Sequence, residues 1–131
     1  MDIRGTSGVA KDENTITVLV AEDEFPLRTL IQQYLLQRAF KVLGARDGAH
    51  ALQIAKAYPS PIDILLTDIE MPGMQGWELA NEMQGVHPEA AVLFMSGSPA
   101  CVPKGTHVEF LEKPFSLSAL LGAIERLSAG K

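Results

Sequence analysis

The feature that most constrains the fold is an alternation of short apolar runs with longer segments that show helical periodicity. Runs of about five apolar residues are too short for helices and too apolar for loops, so they predict buried strands. Strands are predicted at 16–20, 41–45, 62–66, 90–95 and 108–111, and helices at 27–35, 49–58, 74–83 and 117–127. Strands and helices in this order form a parallel sheet that is covered by helices on both faces.

One interval departs from this alternation. Between Ser96 and His107 lie only ten residues, which include two prolines and two glycines. Both residue types disfavour a helix, so we expect a loop or a single turn there. The predicted fold class is therefore α/β, with a doubly wound, five-stranded parallel sheet. The helix expected between the fourth and fifth strands, which would be the fourth helix of such a fold, is reduced or absent.

The length of 131 residues fits one domain. Residues 1–14 are small, polar and charged without periodicity, and we interpret them as a flexible N-terminal lead-in to a domain at 15–131. The N-terminus lacks the layout of a secretory signal, and no apolar run approaches the roughly 18 residues that span a bilayer. We therefore expect a cytoplasmic protein with no membrane partner.

Composition excludes several classes of function. A single cysteine, Cys101, cannot form an internal disulfide framework or a cysteine-based metal cluster. The net charge is −5 and the eleven Lys and Arg residues are scattered, which argues against direct binding of nucleic acid. His50, His87 and His107 are isolated from one another, and we interpret them as surface or turn residues.

Polar side chains follow four of the predicted strands at the point where each strand ends. They are Glu22 and Asp23 after the first strand, Asp68 after the third, Ser96 after the fourth and Lys113 after the fifth. In open parallel sheets the functional crevice lies outside these carboxyl ends. Three acids brought together there would repel one another unless a cation joins them, and oxygen-only ligands suit Mg²⁺. The sequence therefore predicts a magnesium site.

The same cluster could bind a tetrahedral anion. Lys113 contributes a compact positive charge and Ser96 a neutral donor, and with a metal ion they would neutralise a phosphoryl group. Asp68 is then a candidate nucleophile that would form an acyl phosphate. Each residue taken alone also has a structural interpretation, because acids favour helix N-termini, Asp and Ser initiate turns, and lysines are usually exposed. Their common location at one edge of the sheet favours the functional interpretation.

With these residues the chain resembles the receiver domains of two-component response regulators. The resemblance covers about residues 15–128 and rests on four motifs in order. These are Val-Ala-Glu-Asp-Glu at 20–24, Leu-Thr-Asp-Ile-Glu-Met-Pro-Gly-Met-Gln-Gly at 66–76, Met-Ser-Gly at 95–97 and Leu-Glu-Lys-Pro-Phe at 111–115. The resemblance implies a flavodoxin-like sheet with strand order 2-1-3-4-5.

The resemblance also implies roles for individual residues. Asp68 would accept a phosphoryl group from a phosphohistidine, Ser96 would donate a hydrogen bond to it, and Lys113 would pair with it. The implied Mg²⁺ ligands are Glu22, Asp23, Asp68 and the backbone carbonyl of Glu70. A cis peptide bond between Lys113 and Pro114 is implied as well.

Two further residues are candidates for adjusting the switch. Phe110 on the fifth strand would turn inward as Ser96 moves towards the phosphoryl group, although it could equally serve only as core filler. Because Phe lacks a hydroxyl, apolar burial of about 1.5 to 3 kcal/mol would favour the inward state. The side chain of Glu70 could either orient or repel an attacking water. If the fourth helix is reduced, the output would leave through the 97–107 loop or through the first helix.

The predicted function is a phospho-accepting receiver that switches partner binding, with self-phosphorylation and autodephosphorylation as its only chemistry. Its expected partners are a sensor histidine kinase or a histidine phosphotransfer protein, and a downstream protein that is unknown. An aspartyl-phosphate phosphatase of the haloacid-dehalogenase type is the alternative, but that class carries its Asp-x-Asp motif on the first strand. A nucleotide- or flavin-binding module is disfavoured because Glu22-Asp23-Glu24 would repel a phosphate.

Overall fold

The computed structural model describes residues 15–97, 108–129 and 131, which contain five strands and four helices. In chain order these are β1 (Thr17–Ala21), α1 (Phe25–Leu36), β2 (Lys41–Ala45), α2 (Gly48–Ala57), β3 (Ile64–Asp68), α3 (Gly76–Met83), β4 (Ala91–Ser96), β5 (Val108–Glu112) and α4 (Leu117–Ser128). Every element predicted from the sequence is present within these ranges. The predicted lead-in at 1–14 and most of the 97–107 loop lie outside the described residues, so both remain predictions.

The five strands form one parallel sheet in the order β2-β1-β3-β4-β5. This arrangement confirms the doubly wound, flavodoxin-like order 2-1-3-4-5. The first described strand, β1, lies in the interior of the sheet, with β2 on one side of it and the other three strands on the other side. The carboxyl ends of β1 and β3 are therefore neighbours, and this is the point where the order of strands reverses.

Helices cover both faces of the sheet. On one face, Val18, Val20 and Leu66 pack in a core with α1 and α4. On the other face, Leu19 and Leu65 pack with α2 and α3. Because successive side chains of a strand point to opposite faces, a strand buried on both faces must be apolar at almost every position. This requirement explains the continuous apolar runs in the sequence.

Local sequence sets where the helices begin. Asp47 caps α2 by accepting a hydrogen bond from the backbone N–H of His50 at 2.8 Å. Ser116 caps α4 by accepting one from the N–H of Ala119 at 3.0 Å. The prediction placed the start of α3 two residues early, because Gln75 is the cap that begins this helix at Gly76. No helix within the described ranges is long and apolar enough to cross a membrane.

The third strand also differs from its predicted bounds. It was predicted at 62–66 and is observed at Ile64–Asp68. Ile62 is apolar and buried but lies just before the strand, where its N–H donates to Nδ1 of His87 at 3.3 Å. Burial without strand pairing therefore displaced the prediction towards the N-terminus. The shift places Asp68 within the strand, as its last residue.

Candidate functional site

Glu22 lies directly after β1 and is fully buried. Its backbone N–H donates to the carbonyl of Ala45 at the end of β2, at 3.1 Å. Its carboxylate accepts two hydrogen bonds, from the backbone N–H of Glu24 at 3.0 Å and from Nζ of Lys113 at 3.0 Å. The side chain is thus held inside the crevice and does not lie in the solvent, which excludes the interpretation of Glu22 as a surface charge at a helix end.

Asp68 ends β3 and is 6% exposed. One carboxylate oxygen accepts from the N–H of Glu70 at 3.1 Å, and the other accepts from Nζ of Lys113 at 2.8 Å. The start of α3 supports its backbone closely, because a Cβ added to Gly76 would lie 2.2 Å from the carbonyl oxygen of Asp68. Only glycine permits this approach, so the motif after Asp68 fixes the position of the carboxylate.

Lys113 connects the two buried acids. Its Nζ contacts Glu22 and Asp68, and its backbone N–H donates to the carbonyl of Ser96 at 2.8 Å. The Lys113–Pro114 peptide bond is cis, as the resemblance implied. Lys113 therefore reaches the acids of β1 and β3 from the far side of β4.

Burial, hydrogen bonds and neighbouring charges shift the pKa values of Glu22 and Lys113. Burial is the largest influence on Glu22, and together with the charge of Asp68 it raises the pKa of Glu22 although Glu24 and Lys113 act in the opposite direction. Burial alone would lower the pKa of Lys113, but the hydrogen bonds and charges of Asp68 and Glu22 outweigh it and raise that pKa. The ammonium form of Lys113 is thus favoured by its two partners.

The three predicted metal-binding carboxylates come together. Glu22, Asp23 and Asp68 each offer an oxygen, and these atoms all lie within 4.8 Å of one another. Asp23 is exposed, so the cluster is open to solvent on one side. When ionised, three carboxylates and the Lys113 ammonium leave two negative charges, which a divalent cation would neutralise. The oxygen donors, their spacing and this charge fit Mg²⁺.

The structure places the other predicted residues around this cluster. Ser96 is buried at the end of β4, one residue beyond Met95, which pairs with Asp68 in the sheet register. Glu70 is exposed directly after Asp68 and Ile69. Phe110 is half-buried on β5 opposite Phe94, three residues before Lys113. Ser96 and Glu70 therefore lie at the edge of the sheet that carries the acids, whereas Phe110 lies in the middle of β5. The roles of these three residues remain predictions.

Sequence reasoning missed one residue at this edge. Arg28 on α1 donates from Nη1 to the backbone carbonyl of Glu22 at 2.7 Å. Its guanidinium carbon also lies 5.4 Å from the centre of the Phe25 ring. A single arginine in an amphipathic helix looks like an ordinary surface residue. No pattern in the sequence shows that its side chain folds back towards the end of β1.

Comparisons with known proteins show the family of this chain. A family model for the response regulator receiver domain matches residues 18–125. The sensor kinase CckA of Brucella abortus (strain 2308) is 33% identical over 116 residues, which are 85% of this chain but only 12% of that protein. The response regulator receiver protein CpdR of the same organism is 32% identical over 117 residues, which are 84% of this chain and 94% of that protein.

The comparison with solved structures agrees as well. The receiver domain of the hybrid histidine kinase CckA superposes with a TM-score of 0.77 at 34% identity, covering 86% of this chain and 98% of that domain. The phosphatase alternative finds no support in these matches. Asp68 also lies on the third strand, whereas that class carries its nucleophile on the first. The chain belongs to the response regulator receiver domain family of two-component signalling.

Proposed function

We propose that this chain is a phospho-accepting switch in which Asp68 takes a phosphoryl group from a phosphohistidine in the presence of Mg²⁺. The observation that carries the proposal is the Lys113 ammonium, which contacts Asp68 at 2.8 Å and Glu22 at 3.0 Å in the acidic cluster. A buried carboxylate that is open to solvent on one side and already has a cationic partner is suited to nucleophilic attack on phosphorus.

The transfer would exchange one bond to phosphorus for another. A carboxylate oxygen of Asp68 forms the new P–O bond as the P–N bond to the donor imidazole breaks. The electron pair of that bond stays on the imidazole nitrogen. Lys113 and the N–H of Glu70, which already contact the two carboxylate oxygens, hold the side chain in position. Positioning and charge neutralisation would supply most of the rate enhancement.

Glu22, Asp23, Asp68 and the backbone carbonyl of Glu70 would hold the Mg²⁺ ion. When bound, the ion would offset the negative charge of the carboxylates and of the phosphoryl oxygens. Glu22 and Asp68 are buried and fixed by hydrogen bonds, whereas Asp23 is exposed. Two ligands are thus preorganised by the ends of β1 and β3, and the third lies on the turn that leads into α1.

Ser96 and Phe110 would convert phosphorylation into a change of surface. Ser96 lies at the end of β4, from which its hydroxyl would donate to a phosphoryl oxygen. Phe110 is only half-buried, so it has apolar area left to bury if it moves inward. The side chain of Glu70 would adjust the lifetime of the acyl phosphate, because it is exposed two residues from Asp68.

A sensor histidine kinase or a histidine phosphotransfer protein would supply the phosphoryl group, and an unknown protein would bind the phosphorylated form. The matches to part of a sensor kinase and to nearly all of a short receiver protein support both a stand-alone regulator and one domain of a larger protein. The chain would act on no separate substrate. A single cysteine is compatible with the reducing cytoplasm, where we place this reaction.

Intact mass after incubation with Mg²⁺ and acetyl phosphate tests the proposal. We expect a gain of about 80 Da that maps to Asp68. Chelation of Mg²⁺ or the Asp68→Asn substitution should abolish the gain, whereas Glu82→Gln, which removes an exposed acid of α3, should not. Catalytic release of phosphate from small phosphomonoesters, without an adduct at Asp68, would instead support the phosphatase.

A further inference from the structure

Asp23 is the only exposed member of the three-carboxylate cluster, and its position depends on its neighbours in the chain. Three of the four hydrogen bonds described for Glu22 hold this part of the chain. Its N–H donates to Ala45 at 3.1 Å, its carboxylate accepts from Glu24 at 3.0 Å, and its carbonyl accepts from Arg28 at 2.7 Å. The carbonyl of Glu22 belongs to the peptide group that leads to Asp23. The contact with Arg28 therefore fixes the plane of that peptide.

Arg28 is itself well placed for this contact. Its backbone N–H donates to the carbonyl of Glu24 at 2.9 Å, so its Cα is set by the first turn of α1. Its guanidinium lies against the ring of Phe25, with 5.4 Å from its carbon to the ring centre. Contact with the ring limits the rotamers of a long side chain, and the planar guanidinium directs its N–H groups in fixed directions. A lysine would keep the charge but not this geometry.

We propose that Arg28 is a positioning residue of the divalent-cation site, which holds the Glu22–Asp23 peptide so that the Asp23 carboxylate faces Glu22 and Asp68. This inference rests on the proposed binding of Mg²⁺. Arg28 touches neither the ion nor the phosphoryl group in this scheme. It acts through the backbone of Glu22.

The charge of Arg28 and its contact predict opposite effects on the affinity for Mg²⁺. A positive charge near the site repels a cation, so its removal would tighten binding if charge were all that mattered. Loss of the hydrogen bond frees the Glu22–Asp23 peptide, so removal of the Arg28 side chain weakens Mg²⁺ binding if Arg28 positions a ligand. Partners that orient metal ligands typically contribute about 10-fold to 100-fold in affinity. The direction of the change thus separates the two effects.

The chain offers a matched control at the other end of the same helix. Arg38 donates from Nη1 to the backbone carbonyl of Tyr34 at 3.4 Å, and its guanidinium carbon lies 3.8 Å from the centre of the Tyr34 ring. It resembles Arg28 in charge, in its aromatic neighbour and in its carbonyl partner, but it follows the C-terminal end of α1. Arg38→Met therefore reproduces the change in net charge without touching the turn that carries Asp23.

Calorimetric titration with Mg²⁺ would compare the wild type with Arg28→Met, Arg28→Lys and Arg38→Met. We expect Arg28→Met to bind about tenfold more weakly, Arg28→Lys to lie between it and the wild type, and Arg38→Met to match the wild type. In the acetyl phosphate reaction, Arg28→Met should raise the Mg²⁺ concentration that gives half the maximal rate. Its rate at saturating Mg²⁺ should stay near that of the wild type.

Two results would overturn the positioning role. One is an Arg28→Met protein that binds Mg²⁺ as tightly as Arg38→Met or more tightly. The other is a fall in the rate at saturating Mg²⁺ with no change in affinity. If Arg28→Met fails to fold, Arg28→Lys decides the question, since unchanged affinity there would also refute the role. A wild type that binds no Mg²⁺ would instead contradict the proposed function.

Discussion

Replacement of Gly76 by alanine should disrupt the site through sterics alone. A Cβ at this position lies 2.2 Å from the carbonyl oxygen of Asp68 and 3.0 Å from the Cα of Ile69, whereas ordinary contact begins at 3.4 Å. The first distance is therefore 1.2 Å too short, and both partners are backbone atoms that no rotamer change can move. Overpacking a well-packed site typically costs about 1–3 kcal/mol. Because two backbone segments must separate here, we expect a loss of about 3 kcal/mol.

Gly122→Ala is the matched control within α4. The nearest heavy atom to its added Cβ is the end of the flexible Arg126 side chain, at 3.6 Å. Alanine in a helix interior is favoured over glycine by about 0.5–1 kcal/mol, so this variant should be slightly more stable than the wild type. The same substitution should thus lower the free energy of unfolding at Gly76 and raise it at Gly122, and the two effects should differ by about 3.5–4 kcal/mol.

Urea denaturation followed by circular dichroism, with Mg²⁺ chelated, would measure both variants. With a slope near 2 kcal/mol/M, a loss of about 3 kcal/mol lowers the midpoint by about 1.5 M. Gly76→Ala should also reduce phosphorylation at Asp68, because the displaced backbone carries that carboxylate. If the free energy of unfolding of Gly76→Ala lies within about 1 kcal/mol of the wild-type value, at an unchanged slope against urea concentration, the steric reasoning is wrong.

Five other substitutions test the site residues. In urea titrations of the chelated protein, Lys113→Met should lower the free energy of unfolding by about 2 kcal/mol. This loss is smaller than for a fully buried pair because the Lys113 side chain is 23% exposed. The double variant Lys113→Met/Glu22→Gln should recover part of the loss. Because burial raises the pKa of Glu22 above 4.5 in the folded state, the chelated protein should lose stability as the pH rises from 4.5 through the raised value, and Glu22→Gln should flatten that slope. Ser96→Ala should reduce the phosphorylated fraction about tenfold by intact mass, through loss of one hydrogen bond to a charged group, and an unchanged fraction would remove Ser96 from the site. Phe110→Ala should alter partner affinity in at least one phosphorylation state, so equal affinities to the wild type in both states would make Phe110 core filler. Glu70→Ala should change the lifetime of the acyl phosphate, and equal lifetimes would exclude tuning by Glu70.

The grouping of polar side chains at the carboxyl edge of the sheet was predictable because it follows from a small number of rules. A run that is apolar on both faces must be a buried strand, and parallel strands bring their carboxyl ends to one edge. Glu22, Asp68 and Lys113 could therefore be grouped without knowing any distance. Their pairing is now seen as two contacts of 3.0 Å or less from a single ammonium group.

Contacts that depend on the path of a side chain were not predictable. Arg28 reaches back to the end of β1, and His87 joins two segments by accepting from Ile62 at 3.3 Å and donating to Ala55 at 2.8 Å. Neither Arg28 nor His87 belongs to a motif, and the hydrogen-bond partners of both are backbone groups. Backbone carbonyls and N–H groups occur at nearly every position, so the sequence does not indicate which of them a given side chain will contact.

The charges of the cluster favour the binding of a divalent ion. Glu22, Asp23, Asp68 and Lys113 together carry two negative charges when ionised, and Mg²⁺ would bring them to neutrality. Phosphorylation removes the carboxylate charge of Asp68 and adds up to about two negative charges on the phosphoryl oxygens. The phosphorylated site then has about one negative charge more than the resting site, even with the ion bound. Lys113 is already inside the cluster and cannot supply further charge, so the excess must be met by hydrogen-bond donors. Ser96, which is buried at the end of the adjacent strand β4, carries a hydroxyl donor at this edge of the sheet. A movement at β4 is therefore the expected structural response to phosphorylation.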